Sequence, residues 1–283
     1  MPRDIRELID QPEAYAEELQ RRWGGLLSYR YIGRNHASMN LGPTDDTVTL
    51  RSDMRNATGG VLFAVLGIAA PESGHMTDME AVPNPVIHSC QILDAGRDVR
   101  RFEIVSEELK RGRQMGYSRA KIVDAEQPDR VLALIEGQGI SIGTPPGGLG
   151  KMPVDSIEVT DSPDLPPLWQ VFGGQRRADG HWALPELTDQ VASPDAALHI
   201  GPQFVVLEAA AQDLAAAHAG TDRLQGVSCH VMFVARAKSG PFRIDGEAFT
   251  GGHGMVAIRA VMRDEGADER MTTVASYLFR VVA

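Results

Sequence analysis

An internal repeat constrains the fold of this chain more than any other feature of the sequence. Residues 102–130 align without a gap on residues 242–270, and nine of the 29 aligned pairs are identical. Random pairing at this composition would give roughly two identities. A second block, residues 60–70, aligns on residues 201–211 with six identities in 11 pairs. The offsets are 140 and 141 residues, so a single tandem duplication accounts for both blocks.

The segment between the two copies is dense in glycine and proline, as in GTPPGGLGKMPVDS and DSPDLPP. Such segments interrupt both helices and strands, which is typical of a linker. We therefore predict an N-terminal domain over residues 1–145, a linker over 146–164 and a C-terminal domain over 165–283.

Each copy shows the same order of predicted elements. Two early strands are followed by a helix that is apolar on every side, which indicates burial. Four strands with period-two alternation and hairpin turn signals come next. The early strands are predicted at 26–32, 47–51, 169–173 and 181–184, the helices at 60–70 and 202–218, and the later strands at 86–93, 99–110, 115–124, 131–142, 227–235, 241–250, 254–263 and 271–282. The pattern predicts an α+β fold in which an antiparallel sheet wraps around one buried helix per copy.

The composition disfavours several kinds of partner and cofactor. The formal net charge is −10, which argues against a broad nucleic-acid-binding face. Cys90 and Cys229 are interpreted as core thiols, and the scattered histidines show no metal-ligand spacing, so we expect no metal. No stretch approaches the roughly 20 apolar residues of a membrane span or resembles a signal peptide. We expect a cytoplasmic protein with no nucleic-acid partner and no membrane contact.

The second copy resembles the phenylacetate-type (PaaI-like) hotdog acyl-CoA thioesterases. The residues that carry the resemblance are SPDAALHIGPQFVVLEAAAQDLAA and GVSCHVMFVARAKSGPFRIDGEA. The resemblance covers residues 165–283 well and residues 45–145 more loosely. It implies two tandem hotdog domains, each an antiparallel sheet wrapped around a central helix. The implied activity is hydrolysis of an acyl-CoA to a free acid and CoA at the seam between the domains.

The motif of this family is only partly retained. Carried over by position, His199 matches the motif histidine, Gly201 the second glycine, Glu208 the acid and Ser228 the strand serine. Ile200 and Ser193 depart from the motif. In the first copy, Gly59 and Gly60 keep the glycine pair, Asn56 lies near the motif asparagine, Thr58 replaces the histidine and Gly67 replaces the acid. The resemblance therefore implies one working site per chain, with Glu208 and Ser228 facing the loop of the first copy.

The predicted chemistry needs a donor for the developing oxyanion and a group that activates water. The first turn of a helix offers unpaired N–H groups, and glycines allow close approach, so Gly60 N–H is the predicted oxyanion donor, with Gly59 and Asn56 beside it. Glu208 lies in an apolar helix, and burial should raise its pKa toward that of a general base or nucleophile near neutrality. Ser228 is expected to orient the water or the carboxylate.

Other residues are predicted to bind the substrate. These are Thr58, His199 and Gly201 at the helix starts, and Arg236 and Lys238, whose cations suit the phosphates of CoA. Structural alternatives stay open: a carboxylate bonded to backbone for Glu208, a capping residue for His199 and solvated surface charge for the cations. No separate cofactor is expected, because CoA is part of the substrate, and a homodimer is a candidate state.

Two other functions remain open at this stage. The departures from the motif suit a non-catalytic acyl-CoA-binding or sensing module. Less favoured is a fused hotdog enoyl-CoA hydratase, suggested by the segment Asn84-Pro85-Val86-Ile87-His88, which has an extra residue between proline and histidine and no aspartate at the required place.

Overall fold

A computed structural model describes residues 2–32, 47–69, 83–141, 143–146 and 157–283. In the first half, the helices are α1 (Pro12–Gly25), α2 (Leu27–Ile32) and α3 (Phe63–Ala69), and the strands are β1 (Thr47–Thr49), β2 (Pro83–Ile92), β3 (Arg101–Arg111), β4 (Met115–Asp124) and β5 (Gln127–Ser141). In the second half, the helices are α4 (Leu168–Val171) and α5 (Ile200–Ala219), and the strands are β6 (Gln175–Arg176), β7 (Trp182–Leu184), β8 (Leu224–Phe233), β9 (Phe242–Thr250), β10 (Met255–Asp264) and β11 (Arg270–Val281). Single turns of 3-10 helix lie at Ile5–Leu8, Ser52–Met54 and Glu265–Ala267.

The strands form one 11-stranded sheet in the order β1-β3-β4-β5-β2-β8-β11-β10-β9-β7-β6. The half contributed by the first copy is mirrored by the half from the second, with β1 to β5 corresponding to β7 to β11. The halves join through antiparallel pairing of β2 with β8, from Ile87 opposite Met232 to Gln91 opposite Ser228. This pairing satisfies the backbone groups that each half alone would leave at an open edge. The duplicated α+β architecture predicted from the repeat is confirmed.

The two central helices lie together on one face of the sheet. α3 packs against α5 and β2, while α5 also packs against β9, β10 and β11. Twelve residues of α5 are buried, in agreement with the apolar character that predicted a core helix. One hydrophobic cluster runs through both halves, so the two copies share a core. The helices within these ranges lack the combination of length and hydropathy that a membrane-spanning helix requires.

Two of the predicted early strands are wrong. Residues 27–32 form α2 and residues 168–171 form α4. In α2 the buried residues are Ser28, Tyr31 and Ile32, whose spacing of three and four places them on one helical face. The α4 helix follows Pro167 and ends before Gly173, which has a φ of +80°. The other strands and both central helices agree with the prediction to within a few residues.

The N-terminal segment packs on the second half of the molecule. Ile5 N–H donates to Pro194 O at 3.0 Å, and Leu27 N–H donates to Gln190 O at 3.0 Å. Arg21 and Arg22 both pair with Asp189. These contacts fix α1 and α2 over the loop that leads into α5. The predicted linker 146–164 lies partly outside the described residues, and the domain limits at 145 and 165 stay a prediction.

Candidate active site

The Glu208 side chain joins the two halves of the molecule. It lies in the third turn of α5, and its carboxylate accepts two backbone N–H groups at the start of α3. Phe63 N–H donates to Oε1 at 3.1 Å and Ala64 N–H donates to Oε2 at 2.7 Å. The first amides of a helix have no partner four residues earlier, and their positive end of the helix dipole favours an anion. Glu208 is thus an acid of the second copy held at the helix start of the first.

Burial and hydrogen bonding act on Glu208 in opposite directions. Its side chain is 3% exposed, and this desolvation raises the pKa of the carboxyl group to about 7. The backbone bonds from Ala64 and Phe63 and a side-chain bond from Gln212 lower the pKa and offset part of the effect. The group therefore exchanges its proton near neutrality, which suits a general base.

A cavity of about 270 Å³ opens at this carboxylate. A second cavity of about 260 Å³ shares with it the lining residues Asn56, Ala57, Trp169, Ala209 and Gln212. The two cavities follow α5 from Glu208 toward Ala216, and we call them together the α5 cleft. Its walls come from both copies and from the end of the predicted linker, and include Ser52, Asp53, Arg55, Leu62, Ala64, Pro163, Leu165, Pro167, Leu168, Trp182, Val205, Asp213, Asp222 and Leu224.

Asn56 organises the loop before α3. Its Oδ1 accepts Thr58 N–H at 3.0 Å, Thr58 Oγ1–H at 2.8 Å and Gly60 N–H at 3.0 Å, while Nδ2 donates to Leu224 O at 3.3 Å. Gly59 adopts a φ of +81°, which a residue with a Cβ rarely adopts. The expected role of Gly60 N–H as an open oxyanion donor is therefore wrong, because its hydrogen already goes to Asn56. Thr58, a predicted substrate-binding residue, donates a hydrogen bond from its hydroxyl to the same Asn56 oxygen.

Ser228 lies on the wrong face of the sheet for its predicted role. It lines a groove with Ser89, His230 and Phe249, whereas the neighbouring Cys229 is buried in the core. The pairing of β8 with β11 shifts by one residue here, because Leu278 lies opposite Ser228 while the next residue of β11 lies opposite Gly226, which leaves one extra residue in β8. One extra residue in a strand reverses the side on which all later side chains point. Ser228 therefore cannot orient the Glu208 carboxylate from its observed position.

His199 and Gly201 form a buried contact at the start of α5. His199 is the N-cap residue, and its Nδ1 lies 3.2 Å from Gly201 N and 3.1 Å from Ser28 Oγ. Burial lowers the pKa of its imidazole to about 3, helped by the positive charge of Arg236. The capping interpretation thus describes the observed geometry of His199, whose ring is also in edge contact with Tyr29 of α2.

The second pseudo-equivalent site is closed. At Gly67, the counterpart of Glu208, an added Cβ would meet His88 Nε2 and Phe204 Cε2, each at 3.3 Å. In addition, α5 begins at Ile200, whereas α3 begins at Phe63, the counterpart of Phe204. Because α5 begins one turn earlier, the amides that correspond to those bonded to Glu208 already have partners within their own helix. His88, the candidate hydratase residue, is buried against the Phe204 ring at 4.8 Å, and desolvation lowers its pKa to about 4.

Arg236 and Lys238 are held in a structural network. Arg236 Nε donates to Asp195 Oδ2 at 2.7 Å, and its Nη2 donates to Ser193 Oγ at 2.7 Å. Lys238 Nζ donates to Asp4 Oδ2 at 3.2 Å and to Asp195 O at 3.0 Å. Both cations are already paired with neighbouring carboxylates and neither lines the α5 cleft, so the expectation that they meet CoA phosphates stays a prediction. They anchor the loop before α5 and the N-terminal segment.

Sequence reasoning missed several residues of the cleft. Gln212 lies four positions after Glu208, a spacing that brings side chains together on one helical face and could have identified it. The amides of Phe63 and Ala64 were missed because the helix begins three residues after Gly60. Trp169 was assigned to a strand. Within the described ranges, no three histidine, cysteine, aspartate or glutamate side chains come together as ligands of a metal ion would.

Comparison with known proteins gives structural matches only. No protein-family model matches the sequence, and no curated protein matches it. A tesB protein of Mycobacterium avium subspecies paratuberculosis is similar in structure, with a TM-score of 0.57, 13% identity and coverage of 89% of this chain and 99% of that one. The 12:0-ACP thioesterase of Umbellularia californica gives a TM-score of 0.52 at 10% identity, covering 83% and 92%.

A further match names the fold itself. A protein with a hot dog fold from Alicyclobacillus acidocaldarius gives a TM-score of 0.51 at 11% identity, covering 89% of this chain and 98% of that one. At these identities the matches establish architecture. This chain therefore has the hotdog fold, present twice in one polypeptide, as its repeat and its resemblance predicted.

Proposed function

We propose that this chain hydrolyses acyl thioesters, with acyl-CoA as the substrate class, and that Glu208 is the general base. The observation that carries the proposal is the buried Glu208 carboxylate at the α5 cleft, with a pKa raised to about 7. A buried acid in contact with a ligand-sized cavity is a common feature of catalytic sites. The similarity in fold to the 12:0-ACP thioesterase of Umbellularia californica adds support at the level of the fold.

The remaining hydrogen-bonding capacity of Glu208 suits activation of water. A carboxylate has about four lone-pair positions. Oε1 accepts two hydrogen bonds, from Phe63 and Gln212, and Oε2 accepts one, from Ala64. A water in the cavity can donate to the free position of Oε2. Because the carboxylate is held at both oxygens, a role as base is favoured over attack by the carboxylate itself.

The reaction is then a simple hydrolysis. Glu208 takes a proton as the water oxygen attacks the thioester carbonyl carbon, and the tetrahedral intermediate expels the CoA thiolate, which recovers that proton. Asn56 lines the cleft, and one hydrogen of its Nδ2 donates to Leu224 O, which leaves the other for the carbonyl oxygen. In this proposal Asn56 takes the part that sequence reasoning gave to Gly60.

A non-catalytic acyl-CoA-binding module is the second candidate. It is favoured by the bonds from Glu208 to Phe63 and Ala64, because a carboxylate that only caps a helix would make the same contacts. In that case the cleft would bind the thioester without breaking it.

A panel of acyl-CoAs with a thiol-trapping reagent distinguishes these functions. We expect release of CoA by the native chain and a loss of at least about 100-fold in kcat for Glu208→Gln. Glu136→Gln, on an exposed strand position, is the matched control and should retain activity. Undiminished turnover by Glu208→Gln would contradict the proposed base. Binding of acyl-CoA with no release of CoA would support the binding module.

A further inference from the structure

Gln212 is the only described side chain that donates a hydrogen bond to Glu208. Its Nε2 lies 3.0 Å from Glu208 Oε1, one helical turn along α5. Oε1 is also the oxygen that accepts Phe63 N–H. Gln212 therefore occupies the remaining lone pair of Oε1, and this leaves Oε2 as the oxygen with a free position.

Gln212 also stands at the junction of the two cavities of the α5 cleft. It lines both of them, whereas Glu208 lines only the first. Its second N–H and its carbonyl oxygen make no hydrogen bond with the described protein residues. The Gln212 side chain that carries these two groups is partly buried and lines the cleft.

We propose that Gln212 is a positioning residue that fixes the Glu208 carboxylate so that Oε2 is the oxygen that accepts the attacking water in the α5 cleft. This inference rests on the proposed function of Glu208 and deepens it. Gln212 stabilises the charged carboxylate by donating to it, and it fills the last acceptor position of the oxygen that also accepts Phe63 N–H, so that water is left the oxygen that accepts Ala64 N–H.

The arrangement predicts an ordered response of the Glu208 carboxyl group to substitution. Gln212→Leu removes the donor and should raise the pKa of Glu208 by about half to one pH unit. Gln212→Glu adds a like charge one turn away and should raise it further. Gln212→Lys adds a cation and should lower it. Any charge placed one turn from Glu208 would shift its pKa, so the two charged variants test proximity, and the rise in Gln212→Leu tests the hydrogen bond itself.

Two measurements test the order independently. The carboxyl carbon resonance of Glu208, assigned by its loss in Glu208→Gln, gives the titration directly. The acidic limb of the kcat/KM profile against pH gives the pKa of Glu208 through activity. In Gln212→Leu we also expect kcat to fall by a larger factor than KM changes. Gln225→Leu is the matched control, because Gln225 accepts a bond from Arg97 and lines neither cavity.

The outcomes separate the two proposals. A Glu208 resonance that titrates identically in the native chain and in Gln212→Leu would overturn the role of Gln212. If the resonance shifts in the expected order while no variant, nor the native chain, hydrolyses any thioester, the positioning role stands and the proposed hydrolysis is overturned. Movement of the resonance and of the kinetic limb together would support both.

Discussion

The Glu208 carboxylate accepts the Ala64 N–H at 2.7 Å, across the boundary between the two copies of the repeat. The bond exists because α3 begins at Phe63, which leaves the first amides of that helix without intrahelical partners. In the other copy, α5 begins one turn earlier and Gly67 offers no side chain. Duplication produced two equivalent positions, and divergence left an acid and an open cleft at one of them.

The activity should rise with pH through about 7. Glu208 acts as a base only when it is ionised, and burial raises its pKa to about 7. Below that pH, kcat/KM should fall about tenfold per unit, as expected for one essential deprotonated group. Initial rates with a saturable acyl-CoA from pH 5 to 9 measure this limb. A rate independent of pH between 5 and 7 would contradict a base with this environment.

The same carboxylate should make the protein less stable at alkaline pH. The pKa of Glu208 is higher in the folded chain, at about 7, than its ordinary value of 4.5, so its stabilising contribution is complete below 4.5 and lost as pH rises through 7. The difference corresponds to at most about 3 kcal/mol. Urea unfolding at pH 5 and 9 should show a smaller decline for Glu208→Gln, which cannot ionise, than for the native chain. Parallel declines would show that Glu208 does not titrate in this range.

The sequence predicted the architecture well because duplication and periodicity are both encoded in local pattern. The aligned blocks at 60–70 and 201–211 fixed the central helices, and alternation located the eight long strands. It failed for α2 and α4, whose lengths of six and four residues are too short for a helical period to stand out from alternation.

The candidate site was predicted only in part, since it depends on features that sequence pattern does not record. Glu208 was identified because a carboxylate in an apolar helix needs a compensating environment. Ser228 was misplaced by a single bulge, which reverses the face of every later residue in β8. Gly60 was misassigned because the loop places Asn56 within 3.0 Å of its amide, a contact that follows from the fold of the loop alone.

Acid should destabilise the protein through His88. Burial lowers the pKa of this imidazole to about 4, against an ordinary value of 6.5. The unfolded chain therefore binds a proton that the folded chain does not between these values, and stability falls as pH decreases from 6.5 toward 4, by at most about 3 kcal/mol. His88→Leu should flatten this part of the stability profile measured by urea unfolding. His218→Gln, at an exposed position, is the control and should leave the profile unchanged.

The contact between α2 and the start of α5 should be sensitive to one methyl group. A Cβ at Gly201 would lie only 2.4 Å from the Ser28 Cβ, too close for any rotamer change to relieve. We therefore expect Gly201→Ala to lower the free energy of unfolding by roughly 1–3 kcal/mol, although alanine is the better helix former. Gly25→Ala, in α1 with no heavy atom within 4 Å of the new Cβ, is the matched control and should be neutral or slightly stabilising.

A second substitution distinguishes this contact from a general effect of alanine at position 201. Ser28→Gly removes the opposing Cβ, so the double variant should be less destabilised than the sum of the two single variants, with a coupling of at least about 0.5 kcal/mol. Urea unfolding of the four proteins in one buffer measures it. Strict additivity would mean that α2 does not press on the start of α5.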